Sequence, residues 1–439
     1  MTALRVGLLG LGVVGGGTFD ILKRNGQEIA RRAGKEIVVT CAAVREKDLA
    51  HVSQKVGGSI QLHTNPEAVV ESPNVDIVIE VMGGIHPAKE LVLKAISLGK
   101  HVVTANKALL AMHGNEIFKA AHDKGVMIGF EAAVAGGIPI IKALREGLSA
   151  NRIQWVAGII NGTSNFILTN MRERGISFAE ALKEAQALGY AEADPTFDVE
   201  GVDAAHKLTL LSAIAFGIPI QFDKAYTEGI SQLTAKDITY AEEFGYRIKL
   251  LGITKRTEQG IELRVHPTLI PEKRLIANVE GVMNAILVSG DAVGSTLYYG
   301  PGAGAEPTGS AVIADLVDVA RMADAAPHQR VPYLAFQADC LTDDPVLSIE
   351  QVKTSYYLRM SALDRPGVLA DVTRILAQLN ISIEAMLQRE PSAGEERVDV
   401  IILTHVALER DVNKAIEAIE KLDTISGPVV RIRLETLAS

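Results

Sequence analysis

The sequence predicts an α/β chain of several domains: an N-terminal parallel sheet, a middle α+β region and a small C-terminal βαββαβ unit. Three observations carry that expectation. Short apolar strands alternate with helical patterns from Leu4 to about Ala132, as parallel strands joined by crossover helices do. From about Tyr246 to Thr268 and again from Ile276 to Val288 the pattern is β-rich, which suits a largely open sheet able to pair with another subunit. Beyond a linker near Pro332 to Lys353 the order changes to strand, helix, two strands, helix and strand, within the size of one small domain. At 439 residues, two or three domains with sizeable cores are expected.

Composition narrows the partners. With 44 basic and 53 acidic residues the net charge is −9, and no Lys/Arg cluster is interleaved with aromatics, so small molecules are expected rather than nucleic acid. Cys41 and Cys340 stand far apart and away from metal-ligand spacings, which fits a reducing cytoplasm. The apolar start ALRVGLLGLGVVGGG is broken by glycines and has no basic leader, so no signal peptide is expected. No stretch is long and apolar enough to span a bilayer, so no membrane partner is expected.

Leu4 to Leu9 reads as a buried strand, followed by GLGVVG (Gly10, Leu11, Gly12, Val13, Val14, Gly15) and a helix to about Ala33. Strand, glycine turn and helix in that order make a Rossmann-like dinucleotide site. The first glycine permits the turn, the second lets a pyrophosphate approach the backbone, and the third allows close helix packing. The second strand, Glu36 to Val44, ends at Arg45, where an NAD site more often carries an acid. Arg45 and Lys47 therefore favour NADP(H), while Glu46 and Asp48 leave NAD(H) open, and all four would also make a solvated strand end. Strands at Asp76 to Gly83, His101 to Ala105 and Val126 to Ala132 follow, with helices from about Pro87 to Leu98 and up to about Lys124. TANK (Thr104 to Lys107) falls at the carboxyl end of a strand, where open parallel sheets bind ligands, so Lys107 is a candidate for the reaction site or else a solvated lysine at a helix start.

Phe130 to Leu144 leaves the sheet through a small-residue turn with Pro139 early in a helix. That turn would hold a monovalent cation on its carbonyls or serve as a plain crossing. Asn161 to Asn165 is a polar turn between a strand and a helix, suited to a carboxylate or to helix capping alone. The densest acid in the chain is EADPTFDVEGVDAAHK, where Glu192, Asp194, Asp198, Glu200 and Asp203 precede Lys207. The apolar LTLLSAIAFG follows, so Asp203 and Lys207 fall on one face of a buried helix. A cation-holding pocket beside a proton-moving lysine fits this pattern, and so does a charged loop with an ordinary ion pair. Gly300 to Gly309 is too glycine-rich for regular structure and reads as a turn, at Gly304, that returns over the nucleotide or as a surface loop.

GLGVVG, TANK, INGTSN, EADPTFDVEGVDAAHK and GPGAG, in that order between about residues 4 and 335, resemble homoserine dehydrogenase. The resemblance implies NAD(P)-dependent interconversion of L-homoserine and L-aspartate 4-semialdehyde on the route to threonine and methionine. By position, Lys207 matches the family's acid/base lysine and Lys107 the second lysine of its site. Glu192, Asp198 and Asp203 match its acidic positions, and Gly162 with Thr163 its substrate turn. Its sodium site, made of main-chain oxygens, would fall on Glu131, Val134, Gly136 and Ile138, although the family's VGAG here reads Val134, Ala135, Gly136, Gly137. A lysine of reference pKa about 10.4 donates a proton at neutral pH, so semialdehyde reduction is expected to prevail there and oxidation to gain in alkali.

In the C-terminal unit, DRPGVLADV resembles the ACT regulatory module, of ferredoxin-like βαββαβ order. Its turn, Asp364, Arg365, Pro366, Gly367, Val368 and Leu369, would take an amino acid, and L-threonine is the ligand the family implies. A purely structural module remains the alternative. The expected segmentation is nucleotide binding 1–130, catalysis and dimerisation 131–305, a helical return 306–335, a linker 336–353 and the ACT domain 354–439, in a homodimer or homotetramer. Two other readings stay open. Aspartate-semialdehyde dehydrogenase needs a nucleophilic cysteine, which Cys41 in a strand and Cys340 in a linker supply poorly. A non-catalytic sensor would leave Lys107, Lys207 and the carboxylates without a role.

Overall fold

The computed structural model describes residues 3–389 and 396–437. The chain forms two compact units: residues 1–156, 206–223 and 283–344 make the first, and residues 157–205, 224–282 and 345–439 the second.

The first unit begins β1 (Leu4–Leu9), α1 (Val13–Ala33), β2 (Ile37–Ala43), α2 (Leu49–Val56), β3 (Gln61–His63), α3 (Pro66–Glu71), β4 (Ile77–Glu80), α4 (Ala88–Ser97), β5 (His101–Thr104), α5 (Lys107–Lys124) and β6 (Ile128–Gly129). The six strands lie in the order β3-β2-β1-β4-β5-β6, all parallel. That order reverses direction between β1 and β4, which opens a crevice at their carboxyl ends. The central strands are largely apolar because helices cover both faces; Leu8, Ile77, Ile79 and Val103 have no exposed surface. The helix Ala305–Met322 returns to this sheet, and its Val312 and Leu316 join the same core as Phe19 and Leu22 of α1.

Two local expectations change. The strand expected over Val126 to Ala132 is only Ile128–Gly129, because the chain turns into a short 3-10 segment, Glu131–Ala133, whose first amide donates to the buried Asp315 at 2.8 Å. The stretch Gly300 to Gly309 is mostly regular, with a strand reaching Pro301 and the helix starting at Ala305. Its glycines serve close packing. A Cβ on Gly309 would sit 2.9 Å from the backbone nitrogen of Thr18, so this glycine lets the helix lie against α1.

In the second unit, six strands run in spatial order Tyr246–Arg256, Ile261–Pro271, Ile425–Leu434, Lys353–Leu363, Arg397–Thr404 and Ile383–Gln388. The last four of these, with the helices Val368–Gln378 and Glu409–Glu420, form the βαββαβ unit around a core that includes Tyr356, Val372, Leu376, Val412 and Ile419. This module is built into the sheet. Its final strand pairs in parallel with Ile261–Pro271 through Thr268 with Arg433 and Leu269 with Leu434. Two residues of ladder are a short seam, and buried ion pairs reinforce it. Arg264 holds Glu262 at 2.9 Å and Glu435 at 2.5 Å, and Arg359 of the module donates to the fully buried Asp237 at 2.6 Å.

Candidate active site

In the first unit, the turn after β1 is shaped by missing side chains. Gly10 takes φ +100°, a left-handed conformation that suits glycine, and a Cβ there would press on the Val81 carbonyl at the end of β4. A Cβ on Gly15 would overlap the Gly10 carbonyl, so α1 starts hard against the turn. Around Gly12, by contrast, nothing lies within 4 Å of that position, and Val13 beside it is exposed. The expected cofactor stretch therefore presents open backbone at a helix N-terminus, and these residues fit a pyrophosphate. Leu11 is buried in the core and Val14 packs against it, so those two support the turn from below. Arg45, at the end of β2, is exposed and pairs with Asp48 at 2.7 Å. Gly304, at φ +128°, caps the returning helix, and the next residue, Ala305, lies where a Cβ on Gly17 of α1 would fall.

The loop before Lys107 is tied down residue by residue. The Thr104 hydroxyl donates to Glu80 at 2.8 Å, and the Asn106 amide nitrogen donates to that hydroxyl oxygen at 3.0 Å. The Asn106 side chain donates to the Gly84 carbonyl at 2.6 Å and accepts from Leu109 N at 3.0 Å, capping α5. Lys107, half-buried, opens that helix. Glu80 did not figure among the expected site residues. Burial pushes its carboxyl upward, opposed by the hydrogen bonds from Thr104 and the Met82 amide. An acid inside the apolar run IVIEVMG was the available signal.

The turn expected to hold a cation is also in this unit. Ala135 and Gly136 take φ +53° and +44°, and Gly137 N donates to the Pro301 carbonyl at 3.0 Å. Glu131 is buried, and its two carboxylate oxygens accept from the Ile141 and Lys142 amides at 2.9 Å each. Burial, and then the neighbouring Asp315, raise its pKa to about 7; burial also raises Asp315, to about 6. With the carboxylate engaged, the donors left for a cation are main-chain oxygens. Those of Glu131 and Ile138 already accept Val134 N (3.4 Å) and Ile140 N (2.8 Å), and each carbonyl keeps a second lone pair. Among the described residues no group of three or more His, Cys, Asp or Glu side chains would hold a metal.

In the second unit the acidic segment sorts itself. Glu192 and Asp194 are exposed, whereas Asp198 is half-buried and Asp203 buried. Asn161 brings the last two together. Its side-chain nitrogen donates to Asp198 Oδ1 at 2.8 Å and to Asp203 Oδ2 at 2.9 Å, while its oxygen accepts Ser164 N at 2.8 Å and caps the helix Gly162–Arg174. Ser164 Oγ donates to the Asp198 carbonyl at 3.0 Å, and Thr163 Oγ1 donates to the Tyr190 carbonyl at 2.6 Å. Sequence reasoning took the INGTSN turn for its hydroxyls and backbone and did not select Asn161. The clue was that an asparagine cap spends only its oxygen and leaves two N–H donors. One neutral amide thus brings two carboxyl groups side by side. Asp203 stands four residues before Lys207 in the helix Val202–Phe216, and Lys207, which belongs to the first unit, is half-buried.

In the βαββαβ unit, Asp364 to Leu369 link the strand Lys353–Leu363 to the helix Val368–Gln378. Gly367, at φ +96°, caps that helix with nothing within 4 Å of a Cβ position, and Gln388 donates to Asp364 at 3.2 Å. Cys41 is buried in β2 and Cys340 exposed, so neither has the sheltered yet accessible setting a thioester-forming nucleophile requires. No helix among the described residues is long and apolar enough to cross a membrane.

Comparison with known proteins agrees along the chain. Residues 139–317 match the homoserine dehydrogenase family, residues 10–131 the homoserine dehydrogenase NAD-binding domain, and residues 356–424 the ACT domain. A homoserine dehydrogenase of Pseudomonas aeruginosa is 61% identical over 437 residues, covering 100% of both chains. The crystal structure of a homoserine dehydrogenase from Thiobacillus denitrificans superposes with a TM-score of 0.95 at 67% identity, covering 100% of this chain and 99% of that one. A hyperthermophilic archaeal homoserine dehydrogenase in complex with NADPH superposes with a TM-score of 0.63 at 26% identity, over 74% of this chain and 99% of that one.

Proposed function

This chain belongs to the homoserine dehydrogenase family, and from that premise we propose how its residues divide the work of an NAD(P)-dependent oxidoreductase that interconverts L-homoserine and L-aspartate 4-semialdehyde. The observation that carries the proposal is the Asn161 clamp. It holds Asp198 and Asp203 side by side, with Lys207 one helical turn after Asp203.

In this assignment Asp198 and Asp203, with Glu192 at the rim and the Gly162–Thr163 turn beneath, receive the substrate's ammonium and carboxylate. The bound nicotinamide supplies or accepts the hydride. Lys207 gives a proton to the aldehyde oxygen during reduction and takes it back during oxidation, and Lys107 orients the same oxygen. The turn from Gly10 to Gly15, with Thr104 and Gly304, binds the nucleotide. Arg45 and Lys47 place positive charge where a 2′-phosphate would lie, so NADP(H) is preferred and NAD(H) accepted. A sodium ion would sit on the carbonyls of Glu131, Val134, Gly136 and Ile138, and L-threonine at Asp364 to Leu369 would lower turnover. The segmentation at residues 130, 305, 335 and 353, a homodimer or homotetramer and a place in the cytoplasm belong to the same proposal.

The test is oxidation of NADPH, and separately NADH, by aspartate 4-semialdehyde, each with and without L-threonine. Faster turnover with NADPH and inhibition by threonine are expected. Equal rates with both nucleotides would remove the role of Arg45, and indifference to threonine would leave the ACT module structural.

A further inference from the structure

The segment Tyr226 to Ile230 is fixed from two sides within the second unit. On one side stand arginines of the chain's last strand. Arg433, with no exposed surface, places its guanidinium 2.8 Å from Glu228 Oε2, and Arg431 approaches the same oxygen at 3.2 Å. The Tyr226 hydroxyl donates to that oxygen at 2.6 Å, so three donors converge on one carboxylate oxygen. Both arginines are themselves anchored in the ACT module by Glu409, Arg433 at 2.5 Å and Arg431 at 2.9 Å, and Arg431 also reaches Asn413. On the other side lies the loop that carries Asp198. Ile230 N donates to the Val199 carbonyl at 2.8 Å, and a Cβ on Gly229 would stand 2.6 Å from that same carbonyl oxygen. Gly201, at φ +81°, would with a Cβ meet Thr227 at 3.2 Å and Val265 at 3.0 Å, while Glu228 N donates to the Val265 carbonyl at 2.8 Å.

We propose that Glu228 is a positioning residue for the substrate site: gripped by Arg431 and Arg433 of the last strand, it holds the Tyr226 to Ile230 segment against Val199 to Gly201 and so sets where Asp198 stands. This rests on the reading that Asp198 faces the substrate. A carboxylate pinned by three donors is stiff, and the glycine at 229 removes any side chain that would cushion the contact. A shift of the last strand therefore reaches the Asp198 loop through two adjacent residues, Glu228 and Gly229. The seam between the module and the rest of its unit is thus also a route by which a ligand on the module would change substrate affinity. Glu228 touches no substrate atom in this scheme, and its effect is on affinity rather than on the chemical step.

The test compares wild type with Glu228→Ala, the nearly isosteric Glu228→Gln, the more distant Arg431→Met, and Asp198→Asn, using steady-state kinetics and circular dichroism on each full-length variant. For Glu228→Ala the KM for aspartate 4-semialdehyde should rise about tenfold, with kcat within about twofold and the KM for NADPH unchanged, as expected when a binding group is misplaced. Arg431→Met should raise the same KM by less. Adding it to Glu228→Ala should give less than the product of the two effects, because both act through one contact. Glu228→Gln, which retains an acceptor oxygen, should recover most of the affinity. If Asp198→Asn raises this KM and neither Glu228 variant does, the positioning role is overturned and the substrate site stands. If Asp198→Asn leaves the KM unchanged, the substrate assignment fails and the positioning role with it. An equal loss of kcat and of both KM values in Glu228→Ala and Glu228→Gln would show general disorder and also overturn the proposal.

Discussion

The two units each bury carboxylates and leave them in opposite states. In the first, Glu131 and Asp315 lie close together; burial raises both, and the only relief for Glu131 is from backbone amides and Lys142. In the second, burial would raise Glu228 too, but Arg433, Tyr226 and Arg431 outweigh it and leave its pKa below the usual carboxylate range. The same burial is overcome where three donors converge on one carboxylate, as on Glu228. The Asp198 and Asp203 pair is a third arrangement, fixed by the neutral Asn161.

The largest effect should come from breaking the paired cluster. Arg433→Met leaves Glu409 and Glu228 short of a partner, and urea unfolding should show a loss of about 3–5 kcal/mol. A loss under about 1 kcal/mol would mean that Arg431 alone compensates. Next comes the unpaired cluster, through pH. Glu131 and Asp315 bind protons more tightly folded than unfolded, so their stabilisation is complete below the ordinary carboxyl range and is lost as pH rises through about 6 and 7. In sodium-free buffer, stability of the wild type should fall by about 3 kcal/mol between pH 4.5 and 8 relative to Glu131→Gln. Parallel curves for the two proteins would show that Glu131 is ionised throughout.

Asn161→Ala should cost about 1 kcal/mol of stability through the lost helix cap, with a much larger rise in the KM for the semialdehyde. A stability loss without the KM change would make Asn161 a cap only. The smallest effect is expected beside Glu131. Ala135 sits at φ +53°, a conformation that costs an alanine about 1 kcal/mol, so Ala135→Gly should raise the thermal midpoint slightly, by less than that full amount because glycine is freer when unfolded. A lowered midpoint would show that the buried Ala135 methyl contributes more than the strain costs.

Features set by local pattern were legible in the sequence. The strand, glycine turn and helix from Leu4 to Ala33, and the βαββαβ order after Lys353, follow from periodicity and turn chemistry. The family was legible too, because its motifs are contiguous. Contacts distant in sequence were not. Arg433 meets Glu228 across 205 positions, and nothing around either residue in the chain announces the other. Gly309 falls in a stretch expected to be an irregular turn or loop, because sequence cannot tell a glycine that bends from one that admits a neighbouring helix. Asn161 was hidden by its own cap, which explained the residue before its second use was visible.

The most direct test is turnover of Lys207→Ala with aspartate 4-semialdehyde, alongside NADPH binding followed by nucleotide fluorescence. A proton-transferring Lys207 predicts turnover lowered by about 10²–10⁴-fold with NADPH affinity unchanged. Turnover within a few-fold of wild type would contradict the assignment and leave the clamped carboxylates without the lysine they are proposed to serve.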